Sequence, residues 1–351
     1  MIPSIDIAAL FDPAASAARE AADRAIATAA SESGFMLVTG LPARIPVAPA
    51  QLQQLKRIFA LTEAQRRPLL RQKFRPENQN IYRGWFPLQN GFETYKEGID
   101  MGPDVAYGDA VTDNADPLRE ATPLPAESVL PGWRADAAAY YRGMEEIGGA
   151  LMRAIARGLG LDEAIFDAAF KGGISTFRLI RYPVRSEASY GDLQRERLAV
   201  THQGRTGYFL GTPHVDSGFV TLLAQDGVEG LQARHRDRAG RDGGEPEGAW
   251  IDVPPTDNSL VVNFGKLLER WTGGRIKATE HRVIGWSRER YSIPFFYEPR
   301  VDAVISPLPL KDMQAFAPFL YGDYLWQSTT KFVEFAGLEH RRPPRGLSAA
   351  Q

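Results

Sequence analysis

The spacing of apolar residues along the chain changes near residue 170. Before that point apolar positions recur mostly with the period of an α-helix. The pattern predicts helices at 14–31, within 48–70, at 133–158 and at 162–170, and strands at 2–7 and 35–42. The stretch 76–123 is instead rich in Gly, Pro, Asn and Asp. Because this stretch is too long for a plain connector, we expect it to pack over a functional part of the molecule.

After residue 170 the chain consists of short apolar and β-branched runs separated by turns. These runs predict strands at 174–183, 205–216, 219–225, 230–235, 249–254, 259–265, 276–285 and 290–299. Many short strands after a helical block are typical of a β-sandwich or barrel flanked by helices. Two polar inserts interrupt the strands, at 184–204 and 236–248, and the second has the composition of a hairpin tip. The stretch 321–337 predicts a C-terminal helix.

Composition narrows the class of protein. With 44% hydrophobic and 24% charged residues, the 351-residue chain is that of an ordinary globular protein. Its net charge of -2 offers no basic surface for nucleic acid or an anionic membrane, so we expect neither partner. The absence of cysteine excludes disulfides, thiolate nucleophiles and iron–sulfur clusters. No apolar run has transmembrane length and no secretory signal is recognisable, which predicts a cytoplasmic location.

The stretch GTPHVDSGFVTLL (211–223) contains a candidate metal-binding pair. His214 and Asp216 lie one residue apart in a β-branched context that predicts a strand. Side chains at i and i+2 of a strand point to the same face, so the imidazole and the carboxylate converge. Both groups are ligands for divalent metals, although a structural hydrogen bond would also explain the pair.

Only five histidines occur in the chain, so the choice of further ligands is small. His281 lies in a predicted strand, KATEHRVIG, where it is either a ligand or a core histidine bonded to a backbone carbonyl. We expect His202, His235 and His340 to be exposed residues without a role in the site.

Just after His281, Arg290 and Ser292 share a strand face in the segment RYS. A guanidinium beside a hydroxyl suits one end of a small carboxylate. A neighbouring acidic side chain could equally be the partner of this arginine.

Taken together, these residues indicate one site. Two histidines and one carboxylate on one face, with positions left open, form the ligand set of non-haem Fe(II) oxygenases. A zinc hydrolase uses similar ligands, but no HExxH helix supplies a glutamate base.

The chain resembles the isopenicillin N synthase-like family of Fe(II)/2-oxoglutarate-dependent dioxygenases. The resemblance extends over most of the chain, and its most specific segments are RLIRYP, HVDSGFVTLL, VVNFGKLLERWTGGRIKATEHRV and RYSIPFF. It implies that His214, Asp216 and His281 bind Fe(II). It also implies that Arg290 and Ser292, helped by Tyr182, bind the co-substrate carboxylate. Asn263 and Gly265 match the N-x-G turn of the family.

The family fold is α+β with a mostly β core. The resemblance therefore implies a double-stranded β-helix (jelly roll) flanked by helices of an N-terminal region and by a C-terminal helix. It divides the chain into an N-terminal helical and mixed region (1–170), a catalytic core (171–300) and a C-terminal helix and tail (301–351). A monomer is compatible with this division, but the oligomeric state stays open.

The implied function is an oxidoreductase, a dioxygenase that uses Fe(II), 2-oxoglutarate and O2. It would hydroxylate, desaturate or cyclise a small-molecule metabolite and release succinate and CO2. One alternative is an Fe(II) oxidase of the same fold that does not use 2-oxoglutarate, as in isopenicillin N synthase and the aminocyclopropane-carboxylate oxidases. An ethylene-forming type is a second alternative, and a non-catalytic jelly roll that binds a metal or small acid is a third.

The sequence says little about the primary substrate. Aromatic and polar residues of the 76–123 stretch are candidates for a pocket wall, but they would equally suit packing on the core. These candidates are Tyr82, Arg83, Trp85 and Phe86, with Tyr95 and Lys96 nearby. Residues of the first insert are candidates for a lid over a polar or anionic substrate, or for a solvated surface. These are Tyr190, Arg195 and Arg197.

Overall fold

The computed structural model describes residues 2–234, 248–332 and 334–347. The α-helices in these ranges are α1 (Ser16–Glu32), α2 (Pro49–Lys56), α3 (Glu63–Arg66), α4 (Asp104–Tyr107), α5 (Trp133–Gly158), α6 (Asp167–Phe170), α7 (Lys266–Trp271) and α8 (Tyr321–Thr329). The strands are β1 (Ser4–Asp6), β2 (Phe35–Thr39), β3 (Gly84–Phe86), β4 (Glu97–Met101), β5 (Thr176–Tyr182), β6 (Ala199–His202), β7 (Arg205–His214), β8 (Val220–Gln225), β9 (Leu231–Arg234), β10 (Trp250–Asp252), β11 (Leu260–Phe264), β12 (His281–Gly285), β13 (Arg290–Tyr297), β14 (Val304–Ile305) and β15 (Phe319–Leu320).

Most strands belong to two sheets. The larger sheet has eight strands in the order β1-β2-β11-β8-β13-β5-β4-β3, and the smaller has five in the order β10-β9-β12-β7-β6. Neighbouring strands of these described sheets pair antiparallel, except β1 and β2, which are parallel. Strands β14 and β15 form a separate pair. The molecule therefore combines a mixed sheet, a second antiparallel sheet and flanking helices.

Two apolar cores lie on opposite faces of the eight-stranded sheet. The outer core joins the sheet to α1 and α5, and the inner core takes residues from both sheets. Strand β5 shows the alternation that period-two geometry requires. Phe177 and Leu179 belong to the outer core, whereas Ile180 and Tyr182 belong to the inner core. The inner face of the sheet is thus the face that looks toward the second sheet.

The long central helix α5 holds the outer core in place. Gly132 precedes it with a φ of 75°, a left-handed conformation that suits glycine. Trp133 is fully buried and donates its indole N–H to the carbonyl of Leu55, at 2.8 Å. This helix has the bounds that the sequence predicts. Helix α3 begins with a capping box, in which the hydroxyl of Thr62 accepts a hydrogen bond from the Gln65 amide at 3.3 Å.

The structure differs from the sequence-based expectation in several places. The helix expected at 162–170 forms only over Asp167–Phe170, the strand expected at 276–285 begins at His281, and the strand expected at 205–216 ends at His214, so that Asp216 lies beyond it.

The stretch 76–123 contributes β3 and β4 to the large sheet, and the first insert contributes β6 to the small one. The C-terminal helix ends at Thr329, because the hydroxyl of Thr330 donates to the Trp326 carbonyl and turns follow. The insert at 236–248 lies almost wholly outside the described residues. The three-part division of the chain stays a prediction.

Candidate active site

The two candidate histidines meet because their strands pair. Strand β7 ends at His214, strand β12 begins at His281, and the antiparallel register places these two residues opposite each other. Their ring centroids are 4.3 Å apart. Asp216 follows β7, and its Oδ1 lies 3.8 Å from His214 Nε2 and 3.7 Å from His281 Nε2. The ligand atoms of the three residues lie within 4.8 Å of one another, as a metal ion would require.

The two oxygens of Asp216 have different surroundings. Oδ2 accepts hydrogen bonds from the Thr221 hydroxyl at 2.5 Å and from the Asn263 amide at 2.7 Å. Oδ1 faces the two histidines, where a cation would bind. Burial alone would raise the pKa of Asp216, but the neighbouring imidazoles and these two hydrogen bonds hold the pKa below its usual value. The carboxylate is therefore in its ligating form at neutral pH.

Backbone carbonyls orient both imidazole rings. His214 Nδ1 lies 2.8 Å from the Thr212 carbonyl, and His281 Nδ1 lies 3.2 Å from the Thr279 carbonyl. Because a carbonyl only accepts, each Nδ1 carries the proton and each Nε2 keeps its lone pair toward Asp216. Burial, and then the charge of a protonated His281, lower the pKa of His214. The neutral form that binds metals is thus favoured.

A close backbone approach fixes the loop that carries Asp216. The amide of Lys266 donates to the Asp216 carbonyl at 2.8 Å, and the amide of Gly265 donates to the Phe219 carbonyl at 2.8 Å. A Cβ on Gly265 would lie 2.3 Å from the Gly218 carbonyl oxygen, so only glycine fits here. The Asn-x-Gly segment therefore supplies one hydrogen bond to Asp216 and the space for its loop.

Arg290, Ser292 and Tyr182 lie together on the inner face of the large sheet. Strand β13 presents Arg290 and Ser292 on one side, and the register places Tyr182 of β5 opposite Arg290. Ser292 is also the partner of Gln225 on β8. All three predicted residues are buried. The Arg290 guanidinium carbon is 5.8 Å from the centre of the Tyr182 ring.

The guanidinium of Arg290 is poorly satisfied. Nη2 donates to Gln225 Oε1 at 3.3 Å, while the buried Nε and Nη1 atoms have no hydrogen-bond partner within the described residues. Asp226, the acidic residue that follows Gln225, is bonded by Lys56 at 2.6 Å. Burial lowers the pKa of Arg290, as expected of a cation with little compensation. The arrangement fits a bound anion such as the far carboxylate of 2-oxoglutarate.

The four substrate candidates occupy different surroundings. Phe86 belongs to the inner core with Tyr182, whereas Trp85 points to the outer core. The guanidinium of Arg83 donates to the Thr176 hydroxyl at 2.7 Å and to two backbone carbonyls.

The ring of Tyr82 packs on those of Trp326 and Phe335, at 6.4 and 5.7 Å between centroids. Of the four candidates, Phe86 is thus the one that faces the same space as Arg290. A substrate role for these residues stays a prediction.

Thr221 and Gln225 contact Asp216 and Arg290, and neither has a role in the sequence-based interpretation. Their signal is present in the sequence, since both share the inner face of β8 by period-two spacing.

Two of the remaining histidines, His202 and His340, do not join the site. His202 is bonded to Asp252 at 3.1 Å. His340 lies in a short 3₁₀ turn near the C-terminus, and His235 lies outside the described residues.

Comparisons with known proteins identify the class. Residues 197–299 match the 2OG-Fe(II) oxygenase superfamily. The 2-oxoglutarate-Fe(II) type oxidoreductase hxnY of Emericella nidulans is 31% identical over 291 residues, which cover 79% of this chain and 74% of that protein. Isopenicillin N synthase of Streptomyces clavuligerus is 29% identical over 332 residues, covering 92% and 93% of the two chains.

Among solved structures, a full-length Neurospora crassa protein in complex with alpha-KG and 5-formyluracil is similar. It superposes with a TM-score of 0.72 at 25% identity, over 94% of this chain and 96% of that one. The chain therefore belongs to the 2OG-Fe(II) oxygenase superfamily. It is an oxidoreductase of the 2-oxoglutarate-dependent dioxygenase class, as the resemblance in its sequence implied. None of the helices in the described ranges has the length and apolar content needed to span a membrane.

Proposed function

We propose that His214, Asp216 and His281 bind Fe(II) and that Arg290 and Ser292 bind the far carboxylate of 2-oxoglutarate, with Tyr182 packed beside them. The observation that carries this proposal is the convergence of the three ligand atoms within 4.8 Å. The Nε and Nη1 atoms of Arg290, which lack a partner in the described part of the chain, support the second half of the proposal.

Bound Fe(II) supplies the activation of dioxygen, coupled to the oxidative decarboxylation of 2-oxoglutarate to succinate and CO2. The protein positions and protects the reactants. Thr221 and Asn263 hold Asp216 so that Oδ1 faces the metal position. The apolar inner core around Tyr182 excludes water from the co-substrate, which strengthens the pairing with Arg290.

Membership of this superfamily supports our proposal for the finer features of the molecule. The two facing sheets correspond to a double-stranded β-helix, with 171–300 as the catalytic core between an N-terminal region and a C-terminal helix. The primary substrate is a small molecule, because Asp216 and His281 are largely buried between the sheets and the half-exposed His214 opens the site to solvent on one side only. A monomer is sufficient, since all the residues named come from one chain. The cytoplasmic location stays a prediction from the sequence.

Metal binding by isothermal titration calorimetry under anaerobic conditions tests the ligand assignment. The variant Asp216→Ala should lose Fe(II) binding and all 2-oxoglutarate turnover. His202→Ala, which removes a histidine outside the site, should retain both. Wild-type Fe(II) affinity in Asp216→Ala would disprove the assignment.

The product of the co-substrate separates the main proposal from its same-fold alternative. The similarity to isopenicillin N synthase over 92% of this chain favours testing it directly. A 2-oxoglutarate-dependent enzyme releases one succinate for each substrate oxidised. An oxidase of the isopenicillin N synthase type would oxidise its substrate at full rate without added 2-oxoglutarate. Mass spectrometry of both products decides between the two.

A further inference from the structure

A group of charged side chains surrounds the ring of Phe86 near the site. We call it the Phe86 cluster, and its members are Arg71, Lys96, Asp100, Arg178 and Glu334. Arg178 donates to Asp100 through Nε at 2.5 Å and through Nη2 at 2.8 Å, and Arg71 donates to the same carboxylate. Lys96 Nζ lies 3.8 Å from a Glu334 oxygen.

The three cations gather on one aromatic ring. The guanidinium carbons of Arg71 and Arg178 lie 5.2 and 5.5 Å from the centre of the Phe86 ring, and Lys96 Nζ lies 5.9 Å from it. Phe86 belongs to the inner core with Tyr182. The cluster therefore borders the space that holds the proposed co-substrate.

The positive charge of the Phe86 cluster is only partly compensated. Its three cations face two carboxylates, which leaves the cluster as defined with a net charge of +1 (three minus two). Arg71 is 1% exposed, and its Nε has no hydrogen-bond partner among the described residues. Burial also lowers the pKa of Lys96, despite Glu334 beside it. Binding of an anion would therefore stabilise both groups, the unpaired N–H of Arg71 and the ammonium of Lys96.

The strand register leads from this cluster to the candidate metal site. The Arg178 guanidinium carbon also lies 5.5 Å from the centre of the Phe296 ring. Phe296 is the cross-strand partner of Thr221, whose hydroxyl bonds Asp216. Arg178 points to the inner face of the large sheet, yet its side chain is 21% exposed, and that of Lys96 is 20% exposed. Both side chains therefore line open space on that face.

We propose that the Phe86 cluster binds a carboxylate of the primary substrate, and that the enzyme therefore acts on small carboxylic acids. This proposal rests on the proposed function, because it places the substrate beside the metal. Arg178 and Arg71 already bind one carboxylate, that of Asp100. The carboxylate of a substrate would accept hydrogen bonds from the remaining N–H groups of these arginines and from Lys96. This subsite is separate from Arg290, which lies on β13 and has its own neighbours in Gln225 and Tyr182.

Calorimetric titration of the full chain tests the proposal. Mn(II) replaces Fe(II), saturating 2-oxoglutarate fills the co-substrate site, and binding of both is confirmed first. The probes are a series of alkyl- and arylacetic acids, the primary amide of each acid, and phenyl phosphate. At least one acid should bind about tenfold to a hundredfold more tightly than its amide, as expected for a buried charge-assisted pair.

Two variants should abolish the preference for acids while the fold is kept. Lys96→Gln removes a partly exposed charge, and Arg178→Gln removes a second, partly exposed one while Asp100 keeps Arg71 as its buried partner. Arg181→Gln is the matched control. Arg181 lies on β5 like Arg178, but on the outer face, where it pairs with Glu97 and Glu289. The Arg181→Gln variant should therefore keep the preference for acids over amides.

Several results would overturn the proposal. These are amides that bind as well as acids, a preference for phenyl phosphate, an equal loss in Arg181→Gln, or no acid-selective binder in the series. An acid that displaces 2-oxoglutarate would show binding at Arg290 and would also count against it. Failure of the proposed function itself is recognised separately, because Mn(II) and 2-oxoglutarate would then not bind to the wild-type protein.

Discussion

The two carboxylate oxygens of Asp216 have different partners, and this division determines how the residue can bind a metal. Oδ2 is occupied by Thr221 and Asn263, so Oδ1 is held toward His214 and His281. A ligand that is already oriented loses less conformational freedom when the metal binds. Groups that orient a metal ligand are therefore worth a measurable part of the affinity.

Asn263→Ala should weaken Fe(II) binding although Asn263 does not contact the metal position. The expected loss is about tenfold to a hundredfold in affinity, the usual effect of removing a group that orients a ligand. Anaerobic calorimetric titration with Fe(II) measures it. Asn78→Ala, which removes a similar amide bonded to the carbonyls of Arg67 and Leu70, is the control. Equal affinities in both variants would contradict the role given to Asn263.

Arg290 and Arg342 are both buried but differ in their compensation. The guanidinium of Arg342 bonds Asp116 at 3.0 Å and Asp323 at 2.8 Å. The only hydrogen-bond acceptor of the Arg290 guanidinium within the described ranges is Gln225, at 3.3 Å. A buried charge without a partner costs free energy that a ligand can recover. The two arginines therefore predict opposite effects of the same substitution.

Arg290→Met should leave the free energy of unfolding unchanged or raise it by about 1–4 kcal/mol when 2-oxoglutarate is absent, because a poorly compensated buried charge is removed. Arg342→Met should lower it by about 1.5–3 kcal/mol, because Asp116 and Asp323 lose charge-assisted hydrogen bonds while Asp116 keeps Arg345 as a partner. Urea unfolding measures both. In Arg290→Met the added stability from 2-oxoglutarate should also disappear. Strong destabilisation of Arg290→Met without the ligand would indicate a structural partner for Arg290.

At the scale of strands and helices, the sequence predicts those elements in which apolar residues recur regularly along the whole length. Strands β8, β11 and β13 consist of apolar and β-branched runs, and their predicted bounds agree with the structure within two residues. Strand β12, by contrast, begins at His281 and not at 276.

Arg290 and Ser292 can be paired because i and i+2 of a strand share a face. The same argument fails for His214 and Asp216, because β7 ends at His214 and Asp216 lies in the loop that follows, although the two side chains still converge. The contact between His214 and His281 cannot be predicted in this way, since it depends on the pairing of β7 with β12, which sequence spacing does not determine.

Strands β3 and β4 escape prediction for a physical reason. Strand β4 has the sequence EGIDM and is buried along its whole length, with charged residues on both faces. Glu97 bonds Arg66 and Arg181 on one face, and Asp100 bonds Arg178 on the other. Ion pairs replace apolar contacts there, so no hydrophobic alternation marks the strand. The region of the candidate substrate residues is therefore the part of the molecule that the sequence predicts least well.

The end of β13 and helix α8 are joined through a buried carboxylic acid. Glu298 accepts hydrogen bonds from the Tyr321 hydroxyl at 2.8 Å and from the Thr176 hydroxyl at 3.2 Å. Burial raises its pKa from 4.5 to about 7. The folded protein therefore keeps a proton on Glu298 over a pH range in which the unfolded chain has released it.

The sign of the pH dependence follows from this difference. The contribution of Glu298 to stability is complete below pH 4.5 and is lost as the pH rises toward about 7. Up to about 3 kcal/mol should be lost over this interval. Glu298→Gln should remove this slope, so the difference between the two urea-unfolding curves, measured from pH 5 to 8, isolates it. A difference that does not change with pH would show that Glu298 is ionised in the folded protein.

At the scale of the whole molecule, the candidate site joins the two sheets. His214 and His281 come from the five-stranded sheet, whereas Thr221, Asn263 and Arg290 come from the eight-stranded one. Asp216 lies in the connection between them. The sequence predicts the class of fold, because it shows many short strands after a helical block. It does not predict that the site lies between the sheets, because that position depends on how the strands pair.

Ligands that bind both sheets should stabilise the whole fold, and the stabilisation by 2-oxoglutarate should depend on the presence of the metal. On the proposed assignment, Mn(II) would join the two histidines to Asp216, and 2-oxoglutarate would connect that metal to Arg290 across the interior. At 100 times its dissociation constant, 2-oxoglutarate should raise the free energy of unfolding by about 2.7 kcal/mol when Mn(II) is present. Without Mn(II) the gain should be much smaller, because the chelating end of the molecule then has no partner.

Chelation of the metal separates this linked stabilisation from simple binding at Arg290. Treatment with EDTA should abolish most of the gain in urea-unfolding experiments, and Asp216→Ala should behave like the EDTA-treated protein. Both treatments remove the metal but leave Arg290 and its neighbours in place. A gain that survives both would therefore mean that 2-oxoglutarate binds through Arg290 alone and that the metal does not link the sheets.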